Sequence, residues 1–121
     1  MPALLTVYNP RAQTHLVTAG AVADNFWTRF VGLIGRKELA EGDGLLIDPC
    51  GSVHCFFMSI PIDVIYLDKQ DQVVGVDRDL RPWRMGGFYR GAKRVVEVPA
   101  GAVDATDTQV GDHLQISLHN E

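Results

Sequence analysis

One long apolar run, from Val53 to Asp68, carries a histidine and an internal carboxylate among side chains that are nearly all hydrophobic. Two strands, 53–58 and 62–67, are predicted within it, and because both faces of each are apolar, both should be covered on two sides. Pro61 prevents a helix from running through, since the residue before a proline avoids the helical region. We therefore expect these strands at the centre of the fold, paired antiparallel about the turn that contains Pro61.

In that pairing His54 and Asp63 would lie opposite each other. Burying a polar group without a partner costs about 1–3 kcal/mol, so two polar groups inside an apolar sheet are expected to pair. One interpretation is a structural pair that anchors the sheet. Another is a pair that contacts a ligand, and a third is that the connection is not a tight hairpin and the two residues do not meet.

The remaining pattern is that of a mainly β chain with one helix. The segment 24–34 places its large apolar residues within one arc at helical spacing, with Asp24 at its start and Gly35 after its end. Further strands are predicted at 4–8, 15–18, 44–48, 72–76, 95–98 and 113–119. We expect a single domain over 1–121: a small β-sandwich or partly open barrel with one amphipathic helix packed on it.

Composition limits the class of protein. The chain has 121 residues, which suits one compact domain, and its longest apolar run is far shorter than the roughly 20 residues of a membrane helix. The first residues lack the pattern of a signal peptide. We therefore expect a soluble, cytoplasmic protein with no membrane partner, in which Cys50 and Cys55 are thiols. The sequence does not indicate an oligomeric state.

Charge is unevenly distributed. The formal net charge is −4, but residues 77–94 hold six basic and two acidic residues, which leaves 5 basic and 13 acidic residues elsewhere. This segment overlaps a long stretch without periodicity, 78–92, in which Trp83, Arg84 and Tyr89 could bind a sugar, a base or a phosphate by stacking and cationic contacts. The alternative is a solvated loop surface. Nucleic acid is not expected, because the chain is acidic overall and lacks a broad basic face.

The same residues could also form a catalytic or a metal site. Cys55 and His54 are adjacent, but neighbouring side chains on a strand point to opposite faces, so only Cys50 could reach His54 easily as a nucleophile. The spacing of Cys50, His54, Cys55 and Asp63 matches no common zinc motif. We expect no metal and no cofactor.

Several motifs occur together in a recognisable order. They are Gly32–Arg36, Gly44–Ile47, Ser52–Asp63, Val96–Gly101 and Gly111–Asp112. In combination the chain resembles the prokaryotic domain of unknown function 192 family over about residues 5–118. The resemblance implies a mainly β, jelly-roll-like sandwich and no assigned activity. Positions that match the family pattern are Arg36, His54, Phe57, Met58, Pro61, Asp63, Glu97, Pro99, Gly101, Gly111 and Asp112; Cys55 departs from it, because threonine or serine is more usual there.

Arg36 and Glu97 are expected to form a structural ion pair, because a buried carboxylate suits the two-pronged guanidinium. The alternative is that Arg36 binds an external carboxylate or phosphate.

Taken together, the sequence predicts a non-catalytic binding module for a small polar, anionic or sugar-like ligand. One alternative is an enzyme that uses His54 and Asp63 as an acid–base pair on a small substrate. The other is a protein–protein interaction module without a small ligand. The predicted binding residues are His54, Asp63, Arg36, Trp83, Arg84 and Tyr89.

Overall fold

The computed structural model describes residues 4–23, 40–51, 60–82 and 84–119. Within them lie seven strands: β1 (Leu4–Asn9), β2 (Thr14–Ala23), β3 (Leu45–Ile47), β4 (Ile62–Leu67), β5 (Val73–Leu80), β6 (Arg94–Pro99) and β7 (Gln115–His119). One short helix, α1 (Ala102–Ala105), follows β6. No helix in these ranges is long and apolar enough to cross a bilayer.

The strands form one mixed sheet in the order β5-β4-β6-β3-β2-β1-β7. β2 and β3 run parallel, and every other neighbouring pair is antiparallel. The predicted mainly β fold is therefore confirmed. The predicted helix 24–34 and the predicted strand 53–58 lie outside the described residues.

The two edges of the sheet meet at one end. Val73 N–H, at the start of β5, donates to the Asp112 carbonyl at 2.8 Å, and Leu114 N–H donates to the Asp71 carbonyl at 2.9 Å. A β-bridge joins Gln72 to His113 between these bonds. One face of the sheet thereby encloses a core built from the strands and α1: Leu5, Val7, Leu16, Val17, Leu46, Ile65, Leu67, Val73, Val96, Val98, Val103 and Leu114.

The opposite face of the central strands is buried as well. Its cluster consists of Leu45, Ile47, Ile60, Ile62, Val64, Tyr66 and Val95. Every residue of β4 is buried, so the prediction that 62–67 is covered on both sides is confirmed. Cys50, at the margin of this cluster, is a half-buried thiol.

The predicted pairing of β4 with 53–58 is wrong. β4 pairs with β5 along one edge and with β6 along the other, so neither edge is open to a third strand. The hairpin turn at 68–71 brings β5 back to one edge at once, and that turn is confirmed: Asp68 Oδ1 accepts N–H groups from Gln70 at 2.8 Å and Gln72 at 3.0 Å. The register that would set position 54 against Asp63 is therefore absent from this sheet.

β5 extends beyond the predicted 72–76 to Leu80. The second half of β5 is polar because β5 is an edge strand of the sheet. A polar segment lacks the apolar alternation by which a strand is predicted from sequence.

Candidate functional site

A cleft of about 610 Å³ opens between the start of β2, the turn at 41–42 and the segment 99–106. Its apolar lining consists of Leu16, Pro99, Ala100, Ala102 and Ala105. Its polar lining consists of His15, Thr18, Glu41 and Thr106, with the backbone of Gly42 and Gly101 between them. Pockets of roughly 300–1,000 Å³ with an apolar lining and a few polar groups are typical small-molecule sites.

Irregular pairing of β2 brings His15 and Thr18 to the same cleft. On a regular strand residues three apart point to opposite faces. Here the partners of β1 shift between Val7 and Tyr8, so that β2 contributes an extra residue, and Leu16 and Val17 are both buried. His15 and Thr18 are consequently both exposed. The His15 ring also lies against Tyr8, with ring centroids 4.7 Å apart.

At a second register shift, the backbone of β2 binds the turn that carries Glu41. Thr18 and Ala19 N–H groups both donate to the Gly42 carbonyl, at 2.9 and 3.1 Å. Gly42 has φ +89°, and a Cβ there would lie 2.5 Å from Thr18 Oγ1. The close approach therefore requires glycine. It fixes Glu41, an exposed residue, at the rim of the cleft.

Asp63 supports the opposite wall. Its Oδ2 accepts N–H groups from Gly101 and Val103, both at 3.0 Å, and its Oδ1 accepts from Asp79 at 2.9 Å. The Asp79 N–H is available because a register shift interrupts the ladder between β4 and β5 at this point. Asp63 is 1 % exposed. It thus holds in place the 99–106 segment that lines the cleft, while direct contact between Asp63 and a ligand stays a prediction.

Glu97 lies in the middle of β6, between Leu45 of β3 and Val64 of β4. It is 4 % exposed, and burial raises its pKa to about 7. No ion pair joins it to another of the described residues. Arg36, its expected partner, lies outside the described residues, so that ion pair stays a prediction.

Tyr89 is anchored away from the cleft. Its hydroxyl donates to Asp77 Oδ1 at 2.7 Å, and its ring centroid lies 4.5 Å from that of Tyr66, whose hydroxyl donates to Asp77 Oδ2 at 2.7 Å. Burial, followed by these contacts with Asp77, raises the pKa of Tyr89 to about 12. Tyr89 therefore fixes its loop to β5, and Arg84 is exposed on that loop.

Three of the six predicted binding residues, Asp63, Arg84 and Tyr89, lie in the described part of the chain, and none of the three lines the cleft. Asp63 lies behind the cleft wall, whereas Tyr89 and Arg84 belong to the loop beside β5. His54 and Trp83 lie outside the described residues. His15, Thr18 and Glu41 were missed, because their convergence depends on register shifts that appear only when β1 and the turn at 41–42 pair with β2.

Known proteins resemble the chain in sequence and in fold. The sequence model of the family described as Uncharacterized ACR, DUF192, matches residues 8–116. A UPF0127 protein of Pyrococcus furiosus is 42% identical over 96 residues, which cover 77% of this chain and 82% of the relative.

Two solved structures share the fold at 18% identity. A protein of unknown function from Novosphingobium aromaticivorans superposes with a TM-score of 0.76 over 93% of this chain and 83% of that one. A candidate transcription regulator from Sinorhizobium meliloti superposes with a TM-score of 0.79 over 95% of this chain and 93% of that one. At this level of identity the likeness concerns the fold alone. From the family match over residues 8–116 it follows that this chain belongs to the DUF192 family of uncharacterised proteins.

Proposed function

We propose that this chain is a non-catalytic binding module whose cleft takes a small, uncharged, hydroxyl-rich ligand of the sugar type. The observation that carries the proposal is the cleft itself, a volume of about 610 Å³ with an apolar floor and a rim formed by His15, Thr18 and Glu41. Sites of this kind orient a ligand with a few polar groups while the apolar lining covers its carbon skeleton.

The rim chemistry favours hydroxyl groups. The Glu41 carboxylate accepts hydrogen bonds, the His15 ring nitrogens can donate or accept them, and the Thr18 hydroxyl does both. An anion would meet the negative charge of Glu41, and the six basic residues of 77–94 are all absent from the lining. Of the predicted ligand types, a polar, uncharged ligand is therefore better supported than an anionic one.

The contacts of Asp63 support a binding role over acid–base catalysis. A catalytic carboxylate exchanges a proton with its substrate, directly or through a water molecule. Both oxygens of Asp63 instead face backbone N–H groups, of Gly101, Val103 and Asp79.

We also propose that the sheet belongs to the partly open barrel form of the expected fold rather than the sandwich form. The support for this is the backbone bonding of 71–73 to 111–114, which joins the two edges of the sheet at one end.

A thermal-shift screen tests the binding proposal. Glucose, ribose and inositol are compared with phosphate and sulfate as probes. A ligand at 100 times its Kd stabilises by about 2.7 kcal/mol, which is readily measured as a rise in Tm. We expect the neutral, hydroxyl-rich probes to raise the Tm and the anions to leave it unchanged.

Variants of the rim residues test whether the rise in Tm comes from binding in the cleft. Glu41→Ala and His15→Ala should abolish the rise in Tm, whereas His119→Ala should retain it, because His119 bonds Thr6 on β1 and is not part of the cleft lining. A rise caused only by the anions, or an equal rise in all three variants, would contradict the proposal.

A further inference from the structure

A second surface lies on the loop 84–93, here called the basic loop. Two of its large apolar side chains face solvent: Phe88 is 89 % exposed and Met85 is 73 % exposed. Single exposed apolar residues are common on protein surfaces. Two such residues on one short segment, with an aromatic ring almost fully in water, are a more specific feature.

Phe88 is held on a rigid support. Gly87 N–H donates to Asp77 Oδ2 at 2.8 Å, and Tyr89 donates to the other oxygen of the same carboxylate at 2.7 Å. A Cβ on Gly87 would lie 2.9 Å from the Tyr89 ring, so the chain is tightly packed at this point. Phe88 therefore lies between two anchored neighbours, and little conformational freedom of its backbone is left to lose when a partner binds.

Part of the positive charge near Phe88 is not neutralised by any residue that the structure describes. Three neighbouring basic residues are engaged: Arg78 with Asp104, Arg81 with Asp79, and Arg94 with Asp71. The three basic residues of the loop itself make no ion pair with any described residue; these are Arg84, Arg90 and Lys93. The loop thus combines exposed apolar surface with three cations that no described residue pairs with.

We propose that the basic loop docks an acidic segment of a partner protein, with an apolar side chain of that segment packed on Phe88 and Met85. Charge complementarity identifies the partner, because the free cations of the loop attract carboxylates and speed the encounter. The ring supplies the buried contact, since aromatic residues at the centre of an interface carry much of its binding free energy.

The charge of the rest of the molecule favours an acidic segment over an anionic membrane. Outside residues 77–94 the chain carries 5 basic and 13 acidic residues, a formal charge of −8. A broad anionic bilayer would face this acidic remainder as well as the loop and be repelled by it. A short segment contacts the loop alone. The surface is separate from the cleft, so this proposal stands or falls independently of ligand binding there.

The test uses three synthetic peptides, of alternating Glu and Leu, alternating Glu and Ser, and alternating Lys and Leu, with fluorescence anisotropy as the readout. The wild-type chain should bind the Glu/Leu peptide at least about tenfold more tightly than the other two. Phe88→Ser should weaken that binding about tenfold, as expected for an aromatic anchor. The double variant Arg84→Glu, Arg90→Glu should weaken it similarly and reduce its dependence on salt.

Matched controls exclude general effects. Leu118→Ser removes an apolar side chain that is 54 % exposed on β7, and Lys69→Glu reverses an exposed charge in the turn 68–71; both should bind as the wild type does. Unchanged unfolding midpoints confirm that the variants are folded. Failure of the wild type to bind the Glu/Leu peptide, or equal binding by Phe88→Ser, would overturn the proposal. So would binding to phosphatidylserine vesicles but not to the peptide, which would assign the loop to lipid.

Discussion

The surroundings of a buried carboxylate in this protein differ between two kinds of position: near a turn or the start of a strand, and in the middle of a strand. Asp63 accepts three backbone N–H groups. Asp112 accepts bonds from Asn9 Nδ2 at 2.8 Å, Gln109 N–H at 2.9 Å and Arg11 Nε at 2.5 Å. Glu97, in the middle of β6, has no such bond from any described residue, although it is buried to a similar degree.

The difference follows from where backbone N–H groups are available. Inside a sheet they are used by the ladders, and β6 is flanked by ladders on both sides, to β3 and to β4. In turns, in bulges and in the first turn of a helix, some backbone N–H groups have no backbone partner, and a carboxylate can accept hydrogen bonds from them. The pKa values follow this pattern. Burial opposes ionisation of Asp112, but the bonds from Arg11 and Asn9 outweigh it and lower the pKa of Asp112, whereas burial raises the pKa of Glu97 to about 7.

The largest effect is expected at Asp63. Asp63→Ala removes the acceptor of three N–H groups, one of them in α1, and should lower the free energy of unfolding by about 4 kcal/mol. Urea unfolding measures it. Asp63→Asn is the conservative control and should cost less, because one side-chain oxygen remains to accept. A loss below about 1 kcal/mol for the alanine variant would show that the wall at 99–106 does not depend on this carboxylate.

At Glu97 the carboxylate is expected to destabilise the folded protein when it ionises. Its pKa in the folded protein, about 7, lies above the ordinary value of 4.5, so the folded state holds a proton that the unfolded state releases between these pH values. Stability is then complete below pH 4.5 and falls as the pH rises through 7. The total loss is about 3 kcal/mol, since each pKa unit corresponds to about 1.36 kcal/mol. Urea unfolding between pH 4 and about 8 follows it.

Glu97→Gln should remove this fall in stability and make the protein more stable than the wild type at pH 8. The same comparison tests the predicted Arg36–Glu97 ion pair. If the two residues pair, the wild type keeps its stability above pH 7, and glutamine lowers the stability by leaving a buried guanidinium without its counter-ion.

A smaller effect is expected at Asp112, where the ionised carboxylate stabilises the folded protein. Its pKa lies below the ordinary 3.8, so its contribution to stability is present above that pH and is lost as the pH falls below it. The loss should be about 1 kcal/mol, because Arg11 is nearly half exposed and its charge is screened by solvent. Asp112→Asn should flatten the acid side of the stability profile. If Asp112→Asn loses stability at acid pH as the wild type does, the ionised Asp112 carboxylate does not stabilise the folded protein.

The sequence predicts local features of this fold well. The run 62–67 is apolar on both faces, and β4 is buried throughout. Asp68 at the head of a polar tetrapeptide predicts the hairpin, because its side chain bonds the N–H groups that follow it. Both patterns involve residues close together in the chain, where side-chain type decides the conformation.

Long-range pairing is not predictable in the same way. Apolar runs of similar character compete for the edges of β4, and nothing in their composition indicates that 94–99 takes the edge assigned to 53–58. The cleft was missed for a related reason. Its rim depends on shifts of register in β2, and a register shift is a property of two strands together.

The binding proposal for the cleft is tested most directly by ¹H–¹⁵N NMR titration of the labelled chain with glucose, ribose and inositol. A ligand in the cleft should shift the backbone amide signals of residues 15–18, 41–42 and 100–106 and leave those of the basic loop, 84–93, unchanged. Shifts confined to the basic loop, or no shift with any of the three compounds, would contradict the proposal that this cleft binds a small hydroxyl-rich ligand.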